Sequence, residues 1–245
     1  MIDSYILCSS PRSGATLLSE MLRDTGVAGW PGQHLRGAQR RAMMDSMATG
    51  EVGEVATARR TLQLAREAGT RDGIFALGLE PGGLPAFRSM LAVLHPDLPD
   101  DAARITAELG RTRVIYLKRQ DLLGRAVSML RTLQTGYWFE DADGNETEAA
   151  APGSIPVYDR TEIAGKMEEF AGMDAAWELW FEAEGITPIC IEHESLITDP
   201  LAALARLLGE LGLDPAAAAA ASPQPEEEDA EGGDWVRRFR EEALI

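Results

Sequence analysis

A turn near the start of the chain has the composition of an anion-binding loop. Residues 10–17 follow a short apolar run, and a helical pattern begins within them. The first turn of a helix leaves backbone N–H groups without partners, and the helix dipole adds positive charge there. Arg12 adds a guanidinium whose planar fork can bind two oxygen atoms. The segment therefore predicts a phosphate cradle, with these contributing residues: Arg12, Ser13, Gly14, Ala15, Thr16 and Leu17.

The loop departs from the pattern of a magnesium-dependent ATP or GTP site. In the Walker A alignment, Ser9 stands in place of the first glycine and Ala15 in place of the lysine. A Walker B strand should end in an aspartate that holds magnesium. The apolar run 113–117 ends instead at Lys118 and Arg119. The sequence favours a phosphate ligand neutralised by arginines, and an atypical P-loop kinase is an alternative that ATP turnover would reveal.

Two segments together resemble the donor-binding motifs of sulfotransferases that use 3′-phosphoadenosine 5′-phosphosulfate (PAPS). Segment 10–18 is similar to the loop that holds the 5′ end of PAPS. Segment 117–128 is similar to the second motif, in which a strand-end arginine and a helix serine bind the 3′-phosphate. Segment 189–200 resembles the family's later strand and helix start. The bacterial trehalose 2-sulfotransferase type is the subfamily resembled by three further segments: 25–31, 133–138 and 234–240.

This resemblance implies the transfer of a sulfuryl group from PAPS to a hydroxyl of a small-molecule or carbohydrate acceptor. Arg12 and the backbone of residues 13–17 would hold the 5′-phosphate and stabilise charge on its bridging oxygen. Arg119 and Ser128 would hold the 3′-phosphate, and no metal would be required. By analogy with phosphoryl transfer, most of the catalysis would come from positioning and charge stabilisation. The resemblance also implies a homodimer.

The chain departs from the trehalose-type pattern in places that concern activity. Gln33 stands where those enzymes have the glutamate presumed to be the base, and segment 75–80 lacks their middle-strand lysine. Acidic residues between 226 and 231 replace basic ones. We predict that His34 has taken the role of the base, since neutral imidazole can accept a proton near pH 7. A catalytically inactive nucleotide-binding or scaffold member of the fold is the alternative.

The elements that must position these residues alternate between apolar strands and amphipathic helices. This alternation predicts an α/β fold: a P-loop-like three-layer sandwich with a mostly parallel central sheet flanked by helices. The predicted strands are Ser4–Ser9, 73–79, 114–117 and 186–192. The predicted helices are 13–24, 38–69, Leu84–Leu94, 99–109, Leu122–Thr135, 159–184 and Pro200–Leu211, with a short last helix from Asp234. Ligands bind such sheets at the C-terminal ends of the strands, where both phosphate motifs fall.

The remaining segments predict the organisation of the chain. Its 245 residues suit one domain, 1–245. Segment 136–158 is acidic and predicted to be irregular, and we interpret it as a lid over the acceptor. Segment 216–233 is rich in Ala, Pro and Glu and is predicted to be mobile.

Charge and composition narrow the partners and the location. The net charge of −17 disfavours nucleic acid and anionic membranes as partners, since both attract basic surfaces. The cysteine and histidine residues lack the spacing of a metal site. The chain has neither a leader-like start nor an apolar stretch long enough to span a membrane. We therefore expect a cytoplasmic protein.

Overall fold

The computed structural model describes residues 2–49, 53–140, 146–150, 155–223 and 230–243. The strands are β1 Ser4–Ser9, β2 Thr70–Arg71, β3 Ile74–Leu79, β4 Thr112–Lys118, β5 Gly136–Glu140, β6 Glu146–Ala150 and β7 Ile189–Glu192. The helices are α1 Ala15–Asp24, α2 His34–Thr49, α3 Glu54–Gly69, α4 Leu84–Leu94, α5 Asp101–Leu109, α6 Leu122–Thr135, α7 Arg160–Ala183, α8 His193–Thr198, α9 Pro200–Leu211 and α10 Ala230–Glu242, with a 3₁₀ helix at Pro215–Ala220.

The central sheet has the order β2-β3-β1-β4-β7. β1 lies in the middle and pairs in parallel with β3 and β4, β4 pairs in parallel with β7, and β2 is antiparallel. Cys8 pairs with Leu79 of β3, and Ser9 pairs with Leu117 of β4. The C-terminal ends of β1, β3 and β4 therefore lie together at one edge of the sheet.

Helices cover both faces of this sheet, so the predicted three-layer α/β sandwich is confirmed. The side chains of β1 alternate between two buried clusters, as a strand buried on both faces requires. Ile6 and Cys8 pack with the helices α2, α3, α4, α5 and α7. Tyr5 and Leu7 pack with α1, α8, α9 and the 3₁₀ helix. On α7, Trp177 is fully buried and Phe181 packs edge-on against Tyr116 of β4, with ring centroids 5.3 Å apart.

Aspartate side chains cap the N-termini of α6 and α7. The Asp121 carboxylate accepts a hydrogen bond from the Gly124 backbone N–H at 3.0 Å, which starts α6. The Asp159 carboxylate accepts from the N–H groups of Thr161 and Glu162 at 2.8 and 3.1 Å, which starts α7. Such caps satisfy backbone donors that the helix itself leaves open.

Several predicted boundaries were wrong. Helix α1 begins at Ala15 rather than at residue 13, because residues 12–14 form the turn. The single helix predicted over 38–69 is two helices, α2 and α3, and α2 begins already at His34. The segment 136–158 was predicted to be irregular, yet β5 and β6 pair in an antiparallel manner, with Gly136 opposite Ala150. Residues 141–145 and 151–154 of that segment lie outside the described residues.

The C-terminal region contains more regular structure than predicted. Part of the segment predicted to be mobile, 216–233, belongs to the 3₁₀ helix and to α10, and residues 224–229 lie outside the described residues. Within the described part of the chain, none of the helices combines the length and hydrophobicity needed to span a bilayer.

Candidate active site

The loop between β1 and α1 has a backbone conformation that ordinary residues rarely adopt. Arg12 has a φ of 62° and Gly14 a φ of 89°, both in the left-handed region. The Ser13 hydroxyl closes the turn by donating to the carbonyl oxygen of Ser10 at 2.7 Å. A non-glycine residue at positive φ raises the energy of the backbone locally, and such residues cluster at functional sites. The turn brings the chain directly into the first turn of α1, the geometry that favours anion binding.

Gly14 is required here for a second reason. A Cβ atom on Gly14 would lie 2.6 Å from Nδ1 of His193, which is far inside van der Waals contact. His193 is the first residue of α8 and is 1% exposed. The loop thus packs against a side chain that follows β7, so strands β1 and β7 both contribute to this edge of the sheet.

Three of the residues predicted to bind the donor are in direct contact. The Arg12 Nε donates to the Ser128 hydroxyl at 3.0 Å, and the Arg119 Nη1 donates to the Arg12 carbonyl oxygen at 3.2 Å. Ser128 lies in the second turn of α6, and Gly124 at its start leaves room for the Asp121 carboxylate and for Arg119: a Cβ there would lie 2.1 Å from Asp121 Oδ2 and 3.3 Å from Arg119 Nη2. The loop, the end of β4 and α6 therefore bring two guanidinium groups to one place.

An ion pair between a fully buried arginine and a partly buried aspartate supports this loop. Arg125 of α6 is fully buried, and its Nη1 donates to Asp174 Oδ2 of α7 at 2.6 Å. Asp174 Oδ1 accepts a hydrogen bond from the Ser10 hydroxyl at 2.6 Å, and Arg125 Nη1 also lies 3.3 Å from the Arg119 carbonyl oxygen. One ion pair thus contacts both segments that carry the predicted phosphate contacts.

Sequence reasoning missed this ion pair. Arg125 lies inside the motif 117–128, yet a helix arginine between apolar residues could as well face solvent. Asp174 lies 164 positions from Ser10 and carries no local signal, since acidic residues are frequent throughout α7.

The segment Pro31–Gly32 crosses closely over β3. The Gly78 N–H donates to the Gly32 carbonyl oxygen at 2.9 Å, and a Cβ on Gly78 would lie only 2.4 Å from the Pro31 carbonyl oxygen. The absence of a side chain at Gly78 is what permits this approach. The crossing places the residues that follow, Gln33 and His34, beside the C-terminal end of β3.

His34, predicted to be the base, is 2% exposed at the start of α2. Its Nε2 lies 2.9 Å from the Trp30 carbonyl oxygen, and an acceptor of that kind requires the proton to be on Nε2. The Trp30 ring packs edge-on against the imidazole, with centroids 5.0 Å apart. These contacts hold the imidazole in place, and its role as base stays a prediction.

Glu80, the residue after β3, was not singled out from the sequence. Its side chain is partly buried and hydrogen-bonded to the side chain of Gln33. Burial raises the pKa of Glu80 above its ordinary value, and the hydrogen bond from Gln33 and the charge of Arg36 offset part of that rise.

In the described ranges, no group of three or more His, Cys, Asp or Glu side chains is placed so that it could hold a metal ion.

One family model matches nearly the whole chain. The chain belongs to the Stf0 sulphotransferases, whose family model matches residues 4–242. The resemblance predicted from segments 10–18 and 117–128 is thereby confirmed, and the protein is an enzyme of the sulfotransferase class.

Two relatives and one solved structure are similar to this chain over nearly its whole length. The trehalose 2-sulfotransferase of Mycobacterium tuberculosis (strain Erdman) is 29% identical, over 99% of this chain and 96% of its own length. That of Mycolicibacterium smegmatis is 28% identical, over 98% and 95%. The sulfotransferase domain of the Synechococcus PCC 7002 olefin synthase is a solved structure with 16% identity and a TM-score of 0.43, covering 98% of this chain and 95% of that domain.

Proposed function

We propose that this sulfotransferase uses PAPS as its donor and transfers the sulfuryl group to a hydroxyl of a carbohydrate or other small molecule. The observation that carries the proposal is the contact of Arg12 with both Ser128 and Arg119 at the end of β4. PAPS carries phosphate groups on both the 5′ and the 3′ side of its ribose. Binding it requires two cationic sites close enough together for one nucleotide to contact both. Arginine forks suit phosphate oxygens in geometry as well as charge.

The side chains and amides at this edge fit such a ligand chemically. Arg12 and the backbone N–H groups of the first turn of α1 would hold the 5′-phosphate, and Arg119 with Ser128 would hold the 3′-phosphate. All of these groups offer N–H or O–H donors to phosphate oxygens. The buried Arg125–Asp174 pair would keep the loop in position, because Asp174 accepts from Ser10.

The chain's own contribution to the reaction would be positioning and charge stabilisation. PAPS supplies an activated sulfuryl group when bound. Arg12 would neutralise the charge that develops on the departing 5′-phosphate oxygen, and donors fixed in advance do this without reorganisation. Holding acceptor and donor in line replaces a bimolecular encounter, which accounts for a large part of such rate enhancements.

The acceptor class is proposed from the relatives. Both are named as trehalose 2-sulfotransferases, so a carbohydrate hydroxyl is the acceptor that we propose, with trehalose as the first compound to test. Mass spectrometry of the product after incubation with PAPS would show a sulfated disaccharide.

Nucleotide binding tests the donor directly. Adenosine 3′,5′-bisphosphate, the product left by PAPS, should stabilise the protein against heat in the presence of EDTA. At about 100 times its dissociation constant, such a ligand adds roughly 2.7 kcal/mol to the free energy of unfolding. AMP should stabilise less, because it lacks the 3′-phosphate. Equal or greater stabilisation by ATP with magnesium would contradict the proposal and favour a kinase.

A further inference from the structure

Glu80 lies at the same edge of the sheet as residues 10–14, the loop between β1 and α1, which we call the donor loop. Leu79, the last residue of β3, pairs with Cys8 of β1, so Glu80 is level with Ser9, after which the donor loop begins. Adjacent strands lie about 4.8 Å apart. A carboxylate thus flanks the loop that carries Arg12, on the side of β1 opposite to β4 and Arg119.

The crossing of Pro31–Gly32 over β3 fixes the partner of this carboxylate. The Gly32 carbonyl oxygen accepts from the Gly78 N–H at 2.9 Å, and Gly78 has no side chain to hold the two segments apart. The next residue, Gln33, then hydrogen-bonds through its side chain to Glu80. An amide N–H donated to a carboxylate orients it and leaves its other lone pairs available.

We propose that Glu80 is the general base that accepts the proton of the acceptor hydroxyl, and that Gln33 orients it. The proposal rests on the proposed function. In the step, a bond forms between the acceptor oxygen and sulfur while the bond from sulfur to the 5′-phosphate oxygen breaks. The hydroxyl proton passes to the Glu80 carboxylate, and the electron pair of the broken bond stays on the 5′-phosphate of adenosine 3′,5′-bisphosphate. Sulfate ester and bisphosphate are the products.

The surroundings of Glu80 favour this role over a structural one. Burial raises the pKa of Glu80, while the hydrogen bond from Gln33 and the positive charge of Arg36 on α2 act in the opposite direction. A carboxylate with a raised pKa is a stronger base near neutral pH than one in water.

His34 is the competing candidate, and its contacts serve a different purpose. Its Nε2 carries the proton donated to the Trp30 carbonyl oxygen, and its ring is 2% exposed. A Cβ on Gly32 would lie 2.5 Å from His34 Cε1, so the imidazole fills the space beside the crossing segment. These contacts make His34 a positioning residue for the crossing that brings Gln33 to Glu80.

The test compares Glu80→Gln with a variant in which the two side chains are exchanged, Gln33→Glu/Glu80→Gln. The exchange places the carboxylate at position 33 and the amide at position 80, so that a carboxylate and an amide still face one another. Glu67→Gln is the matched control, because exposed Glu67 also accepts from a glutamine, Gln63, at 2.9 Å. Release of adenosine 3′,5′-bisphosphate from PAPS is measured with trehalose and with water alone as acceptor.

The expected result is a fall in kcat of about 10²–10⁴-fold in Glu80→Gln, with unchanged affinity for the bisphosphate. The wild-type kcat should rise with pH through one ionisation, which Glu80→Gln should lack. The exchanged variant should regain both activity and the ionisation, and Glu67→Gln should match the wild type.

Two results would overturn the inference: a Glu80→Gln enzyme with wild-type kcat, or one with lower kcat but the wild-type pH dependence. Loss of that ionisation in His34→Asn, with Glu80→Gln retaining it, would assign the base to His34 instead. A wild-type protein that neither binds the bisphosphate nor releases it from PAPS would overturn the proposed function itself. Bisphosphate binding and PAPS turnover by the wild type therefore distinguish a failure of the proposed function from a failure of the proposal for Glu80.

Discussion

Arg12 Nε donates a hydrogen bond to the Ser128 hydroxyl at 3.0 Å, although the two residues are 116 positions apart. One lies in the loop after β1 and the other on α6, so the two phosphate motifs meet directly. The contact means that the proposed 5′ and 3′ sites are parts of one surface. The effect of a substitution in either motif should therefore be measured as a change in affinity for two ligands, one that occupies a single phosphate site and one that occupies both.

Arg119→Ala should weaken adenosine 3′,5′-bisphosphate far more than AMP, because AMP has no 3′-phosphate for Arg119 to bind. A charge-assisted hydrogen bond is worth about 1.5–3 kcal/mol, so the affinity for the bisphosphate should fall about 10- to 100-fold. Isothermal titration calorimetry with both nucleotides measures this. Arg113→Ala is the control: Arg113 is exposed on β4, the strand that precedes Arg119, and its loss should change neither affinity. An equal fall for both nucleotides would contradict the assignment of Arg119 to the 3′-phosphate.

Asp174→Ala should destabilise the protein much more than Glu178→Ala, one turn further along α7. Asp174 pairs with the fully buried Arg125, whereas Glu178 is 55% exposed and pairs with Lys118. Leaving a buried charge without its partner costs about 3–5 kcal/mol. An exposed pair contributes at most about 1 kcal/mol. Urea denaturation of both variants gives the two values, and similar losses would show that Arg125 finds other compensation.

Local sequence signals predicted the loop, the strand-end arginine and Ser128, but not the Arg125–Asp174 pair that contacts the loop and Arg119. The apolar runs of β1 and β4 and the motif around Arg12 are readable because each depends on neighbouring residues. The division between α2 and α3 was missed because helical periodicity resumes after Gly53. Asp174 and Glu80 act through contacts with residues far away in the sequence, so only the packed structure identifies them.

Gly14→Ala should lower stability more than Gly26→Ala, although both glycines have positive φ, 89° and 73°. An alanine in the left-handed region costs roughly 1–2 kcal/mol at either position. At Gly14 the new Cβ would also meet the His193 ring, whereas nothing lies within 4 Å at Gly26. Overpacking of this kind costs about 1–3 kcal/mol more. Thermal denaturation that gives equal losses would show that His193 moves aside without cost.

Glu80→Gln should be more stable than the wild type at neutral pH, and the difference should vanish in acid. Burial raises the pKa of Glu80 above its ordinary value of 4.5, so the folded protein holds this proton more tightly than the unfolded chain. As the pH rises from that ordinary value to the raised pKa, only the unfolded chain releases the proton, and the wild type loses stability relative to the neutral glutamine. Below the ordinary pKa, both states are protonated and the penalty is absent.

Urea denaturation of the wild type and Glu80→Gln between about pH 4 and pH 8 measures this difference. The gap between wild type and Glu80→Gln should widen with pH and then become constant above the raised pKa. A gap that is independent of pH would mean that Glu80 ionises in the folded protein as readily as in water, and a wild type that gains stability as the pH rises would mean that it ionises more readily. Glu80 would then lack the raised basicity that supports its proposed role in catalysis.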